Sequence, residues 1–299
     1  TTLKKYILII YNKLYSFIHW VIDWYLIYKL GVPQIMTVDD TLDYIINNKC
    51  SVSRFGDGEF KLACGESIRF QKYDKDLADR LSCILKSKEN NLLVCISDIF
   101  KHPKWMIKSS YKYTYNIVAV NRKKWIKKLD LNKLYGNAFI SRLYFDWKDK
   151  NSCQNRFEKI KKIWDKKNIV IIEGFQSRLG YHNDLFSNVS SIGRILCPTK
   201  NAFASYEKIL NETKKISKDI LILIALGPSA SVLAYDLSKL GYWVIDIGHI
   251  DIEYEWFKMK AKSKIKIDHK YTSEAEGGDI VSNDLDPQFI DQIISIIDC

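Results

Sequence analysis

An α/β fold, built on an open and mainly parallel sheet covered by helices, is what this sequence predicts, and three observations carry it. Apolar runs at 92–97, 138–141, 168–173, 193–197, 219–226 and 242–247 have the length and composition of buried strands. Between them, amphipathic stretches near 75–88, 153–166, 201–217 and 229–240 read as helices, and strands that alternate with helices pair in parallel. Only 5 Pro and 13 Gly occur in 299 residues, so long linkers are not expected between 38 and 299. Taken in order, residues 1–30 form a first helix that Gly31, Val32 and Pro33 end. Thr37, with Asp39 and Asp40 behind it, caps a second helix, and Cys50 to Phe55 make a short strand. Beyond 258, a basic stretch to Lys270, an acidic glycine-containing segment from Glu274 to Asp279 and a last apolar helix from about 287 complete the domain.

The first helix reads differently from the rest. At 100° per residue Lys5, Asn12, Ser16, His19 and Asp23 share one narrow stripe, and Tyr6, Ile7, Ile10, Leu14, Phe17, Trp20, Val21 and Trp24 cover the remainder. Lys13, His19 and Asp23 interrupt the apolar run, which argues against a membrane span, and no small-residue cleavage site follows it. Residues 1–36 are therefore expected to be an amphipathic helix for a membrane interface or an oligomer contact, with 37–299 as the enzyme domain.

Charge is concentrated. The net charge is +11, yet residues 101–170 alone hold 19 Lys or Arg against 5 Asp or Glu, so the rest of the chain is slightly acidic. Lys101, Lys104, Lys108 and Lys112 interleave with Trp105, Tyr111, Tyr113 and Tyr115, a mixture suited to an anionic membrane surface or a phosphorylated acceptor. No nucleic-acid motif accompanies it, so nucleic acid is not an expected partner. Seven scattered cysteines without metal-ligand spacing fit a reduced, cytoplasmic compartment.

Three polar clusters follow strands. Arg54, Gly56, Asp57, Gly58 and Glu59 set two carboxylates one residue apart beside glycines. In an extended or tightly turned backbone both acids reach one hard cation, although Gly-Asp-Gly is also ordinary turn chemistry. Glu173 and Gly174 lead to Arg178, a fork-shaped donor for a diphosphate or the partner of a local salt bridge, and to Asn183 and Asp184, which suit a base, ribose or sugar hydroxyl. Gly227, Pro228 and Ser229 open a helix whose N-terminus is suited to phosphate. The next strand then ends in Asp246, His249 and Asp251, followed by Glu253 and Glu255, a set of acids that offers a general base or further metal ligands.

These motifs resemble the bacterial GT-D-fold glycosyltransferases, a family long described as a domain of unknown function. The resemblance covers about 38–299. It rests on Arg54 to Glu59, on Glu173-Gly174 with Ser177 to Gly180 and Asn183 to Phe186, on Pro198 with Asn201 to Phe203, and on Ala225 to Ala230 running on to Asp246 to Asp251. It implies a Rossmann-like enzyme that transfers a hexose, glucose or galactose, from a UDP-sugar to a glycan acceptor in surface polysaccharide or glycoprotein synthesis. It further implies Mn²⁺ or Mg²⁺ at Asp57 and Glu59. Departures around Phe175-Gln176 and Tyr181-His182 bear on the choice of sugar or acceptor. Within that frame Arg54, Gly56, Arg178, Asn183, Asp184, Gly227, Pro228, Ser229 and His249 are expected to bind the donor, and Asp251 or Glu253 to act as base. A lipid-linked or protein-linked acceptor, peripheral contact with the inner face of the cell membrane and a homo-oligomer complete the expectations. The alternatives are a sugar-nucleotide or glycan-binding protein without turnover and a metal-dependent phosphohydrolase.

Overall fold

The structure, a computed structural model, describes residues 2–282 and 284–298, with side chains throughout except at 2–6, 8, 9, 11–13, 15, 16 and 19. Helix α1 (Thr2–Leu30) leads through β1 (Gln34–Ile35) to α2 (Val38–Asn48), where the Thr37 hydroxyl accepts from the Asp40 N–H as the expected cap. Then come β2 (Ser51–Phe55), α3 (Asp57–Ala63), α4 (Lys75–Leu85), β3 (Leu92–Ile96), α5 (Lys108–Ile126) and β4 (Leu134–Asn137). The second half runs α6 (Asn151–Lys161), β5 (Asn168–Gly174), β6 (Ser191–Cys197), α7 (Tyr206–Thr213), β7 (Leu221–Ala225), α8 (Pro228–Lys239), β8 (Val244–Asp246), α9 (Ile250–Lys258), α10 (Pro287–Asp291) and β9 (Ile293–Ile296).

The nine strands among the described residues form one sheet in the order β1-β4-β3-β2-β8-β7-β5-β6-β9, and each neighbouring pair is parallel. The fold is therefore the expected α/β sheet flanked by helices. Strands β3, β5 and β7 are buried over almost their whole length, which is why they read as unbroken apolar runs. From β2 the chain winds outward through β3 and β4, while β8 reaches β2 from the other half. The order reverses between them, and such a reversal opens a crevice at the carboxyl ends of the strands.

Three elements differ from the sequence reading. The apolar run 138–141 is a 3₁₀ turn, not a strand; the Asn137 side chain accepts from the Phe139 N–H and ends β4 just before it. The last helix is cut to five residues, and the β-branched run Ile293–Ile296 pairs instead with β6 at the sheet edge. The basic segment yields a long helix, α5, that no periodicity had announced.

Helix α1 is present, but its polar stripe faces inward at the one position where it is described. Asp23 is fully buried and accepts from Nε and Nη2 of the equally buried Arg122 on α5. The other stripe positions, Lys5, Asn12, Ser16 and His19, lie outside the described side chains. Ile7, Ile10, Leu14, Phe17, Trp20, Val21 and Trp24 are exposed.

Candidate active site

A cavity of about 980 Å³ opens at the carboxyl edge around β2 and β8, lined by residues at or just beyond the ends of β2 to β8. Its floor is fixed by Arg54 at the end of β2. Arg54 donates to the Asp246 carboxylate at 3.1 Å, to the Asp246 carbonyl at 2.9 Å and to the Ala138 carbonyl at 3.0 Å, tying three elements together. A side chain at Gly248, whose φ is +39°, would put its Cβ 1.7 Å from that guanidinium, so this position requires glycine. Arg54 lines the cavity, but its charge is already matched by Asp246.

Asp57 and Glu59 lie in the first turn of α3, not in an extended turn. Side chains two residues apart on a helix diverge, so the two carboxylates do not start out side by side. Asp57 takes an ion pair from Lys61 at 3.0 Å, and Glu59 folds back to accept from the Gly56 N–H at 2.7 Å. Both still line the cavity. Dense surroundings and repulsion from Asp246 push the Glu59 carboxyl up to about 7, which marks a carboxylate with too little positive charge nearby. Among the described residues no group of three or more His, Cys, Asp or Glu could hold a metal. Two acids alone make no closed protein cage, so a cation held here would need oxygens from its own ligand.

On one side the cavity is walled by Gly174, Ser177, Thr199 and Leu226 with Gly227 and Pro228 at the start of α8. Gly227 has a φ of +54°, and a Cβ there would come 2.9 Å from the Phe70 ring. Ser229 falls outside this wall: it is buried, and its hydroxyl has no hydrogen-bond partner. On the other side α5 presents Ser109, Ser110, Tyr113, Thr114 and Ile117, one helical face, together with Arg142 and Glu274. Arg142 holds Glu274 through both nitrogens, at 2.6 and 2.9 Å. Burial works against ionisation of Glu274, but Arg142, His249 and Lys264 outweigh it and keep this carboxylate far below its usual range. His249 lines the cavity with its Nε2 3.6 Å from Glu274 and without a hydrogen bond; burial lowers it to about 4, so the ring is neutral at pH 7.

Other predicted residues sit elsewhere. The guanidinium of Arg178 is buried beneath the loop that follows α9 and donates to the carbonyls of His269 (3.0 Å), Ser282 (2.6 Å) and Asp284 (3.3 Å), so it pins that loop and does not reach the cavity. Asn183 donates to Asp251 and Glu255. Asp184 faces a separate cleft, where it meets Tyr254 and Lys258. Asp251 touches the cavity, but Gly180, Asn183 and Lys270 all donate to its oxygens. Glu253 lies below it, fully buried, and one of its oxygens accepts from the N–H groups of Tyr144 and Phe145. Asp251 is thus held by three donors, and the second oxygen of Glu253 has no hydrogen-bond partner but lies buried away from the cavity lining. The α5 face, Arg142 and Glu274 escaped the sequence reading because no motif joins them. The one available signal was the spacing of Ser109, Tyr113 and Ile117.

A deep cavity at the carboxyl edge of a parallel sheet, with acids on its floor and a helix N-terminus in its wall, defines a ligand-binding α/β enzyme. The family model described as Glycosyltransferase GT-D fold matches residues 52–275, and the chain belongs to that family. It is 40% identical over 267 residues to Glycosyltransferase GlyD of Streptococcus pneumoniae, covering 88% of this chain and 31% of that protein. With the Probable glycosyl transferase Gly of Streptococcus gordonii it shares 39% over 262 residues, 82% of this chain and 37% of that one. The chain thus spans about a third of the length of these relatives. A solved structure of the domain of unknown function 1792, described as having a distinct glycosyltransferase fold, superposes with a TM-score of 0.88 at 39% identity, over 92% of this chain and 100% of its own. A glycosyltransferase of the same domain type from Streptococcus sanguinis gives 0.85 at 36%, over 89% and 100%.

Proposed function

We propose that the chain transfers a hexose from a UDP-sugar to a glycan acceptor, with Mn²⁺ or Mg²⁺ held at Asp57 and Glu59. The observation that carries this is the single cavity that joins those two acids, the start of α8 and the neutral His249. When bound, the cation supplies positive charge against the leaving diphosphate. Gly227 and Pro228 bring the α8 N-terminus to the cavity wall, and its dipole favours the same negative charge. The donor lies on that side, over Gly174 and Thr199, and the acceptor lies against the α5 face; about 980 Å³ is at the upper end of the range for ligand sites and leaves room for both. In this reading the neutral His249 ring takes the proton of the acceptor hydroxyl, and the Glu274 carboxylate, 3.6 Å from its buried Nε2, stabilises the imidazolium. The acceptor is a glycan of surface polysaccharide or glycoprotein, and the enzyme works at the inner face of the cell membrane.

The experiment is release of UDP from UDP-glucose and UDP-galactose in Mn²⁺, with and without a saccharide acceptor. Acceptor-stimulated release supports the reading, and His249→Gln should slow it about 100-fold. Metal-dependent release that ignores every acceptor would favour the phosphohydrolase alternative, and tight UDP binding without release the non-catalytic one.

A further inference from the structure

Helix α1 carries a surface that the fold does not use. Among its described side chains Ile7, Ile10, Leu14, Phe17, Ile18 and Trp20 are between 43% and 65% exposed, and Val21, Ile22, Trp24, Tyr25 and Tyr28 continue the exposed series. At 100° per residue these eleven positions sweep an arc of roughly 200°. Asp23 falls on the opposite side, where its pair with Arg122 is buried. A buried ion pair contributes little net stability but penalises every arrangement that separates its members. The pair therefore sets which face of α1 meets the body and turns the apolar arc outward.

We infer that this arc is a membrane-docking surface, and that its occupant is the headgroup and upper acyl region of an anionic bilayer. The inference rests on the inner-face location proposed above and assigns the residues that would produce it. Three observations favour lipid over a second copy of the chain. No described helix is long and apolar enough to cross a membrane, yet α1 runs 29 residues, about 43 Å, so its arc suits lying in the interface. The arc is rich in aromatic residues, and Trp24 continues it onto the body by stacking near His102, which meets Tyr115 in turn. Lys101, next to His102 in the chain, and Lys104, Lys108 and Lys112 in the segment that leads into α5 and its first turns are exposed, and such lysines attract anionic lipid but would repel a second copy. Helix α5 packs on α1 through Arg122 and lines the cavity through Ser109 and Tyr113, so docking would hold the cavity one helix away from the bilayer.

Co-sedimentation of the full chain with vesicles tests this, beside a sizing column without lipid. Vesicles of phosphatidylcholine with about one quarter phosphatidylglycerol should bind the protein at about 0.1 M salt, and binding should weaken at least about tenfold at about 0.5 M. Phe17→Glu with Trp20→Glu, both at exposed positions, should cost at least about tenfold in binding with an unchanged circular dichroism spectrum. Absence of binding at low salt overturns the inference, as does binding that survives the two glutamates. A dimer on the column that the same substitutions dissolve, with no vesicle binding, would give the face to a second copy. Because UDP release is measured without lipid, failure here and failure of the glycosyltransferase reading are distinguishable.

Discussion

Two acidic clusters sit at the same edge of the sheet, and they have opposite fates. In Asp246, Asp251 and Glu255, at the end of β8 and in α9, each carboxylate is matched by donors of the protein, Arg54, Lys270, Asn183 and the Gly180 N–H, while Glu253 is buried away from the cavity lining with the Tyr144 and Phe145 N–H groups on one oxygen and no partner on the other. At the start of α3, Glu59 has one backbone donor and Asp57 one lysine, and both line the cavity. The larger cluster is bound mainly to the protein itself, and the smaller carries fewer donors at the cavity wall. Counting acids therefore does not find a site; counting the donors that each acid already has does.

The comparison breaks most directly at the smaller cluster. Asp57→Ala with Glu59→Ala should lower transfer by at least about 1000-fold, near 4 kcal/mol of barrier, because a diphosphate leaves poorly without its cation. The fold should persist, since both side chains face the cavity. Near-normal turnover of the double variant in EDTA would end the metal reading.

At the larger cluster the same logic gives loss of stability in place of loss of chemistry. Lys270 is 2% exposed and donates to Asp251 at 2.8 Å and to Glu255 at 2.7 Å. Lys270→Met strands two carboxylates in a poorly hydrated position and should cost about 3–5 kcal/mol by denaturant unfolding. A cost below about 1 kcal/mol would show that these acids are not held as described.

Arg178→Ala separates the two fates at a single residue. A phosphate ligand would lose UDP binding selectively, with uridine little affected. Since Arg178 serves three backbone carbonyls, the expected outcome is about 2 kcal/mol of lost stability, with UDP and uridine weakened alike. Selective loss of UDP, read by calorimetry, would return Arg178 to the donor site.

How much of this was legible follows from what each residue packs against. Strands β3, β5 and β7 are sandwiched between helices, so their composition alone announces them. Helix α5 is contacted on two sides, by the cavity and by α1, and its third side is basic; a helix used all round has no single apolar stripe, and Lys108–Ile126 read as charge with aromatics. The acids of α3 were visible as a motif, but their divergence on a helix was not, because Gly56 and Gly58 suggested a loop. Arg142 and Glu274 lie 132 residues apart, and only the fold brings them together. Asp23 read as one member of a wet stripe because its partner Arg122 is 99 residues away.

The smallest effect sharpens the comparison by pH. Burial pushes Glu253 from 4.5 up to about 7, against the opposing pull of Arg142 and of the two backbone donors. A folded value above the unfolded one means that the protonated acid is favoured by folding. Its contribution is therefore present in full below about 4.5 and is lost as pH rises through about 7. Glu253→Gln keeps an oxygen for the Tyr144 and Phe145 N–H groups and removes the titration. Relative to the parent, this variant should gain on the order of 1 kcal/mol between about pH 5 and about pH 8 by denaturant midpoint. Glu59 shifts in the same direction, but it is common to both proteins and cancels in the difference. If parent and variant lose stability in parallel, Glu253 is ionised throughout, and the donors around it suffice for its charge. A base would show something else: transfer by Glu253→Gln would collapse at every pH while its stability stayed level with the parent.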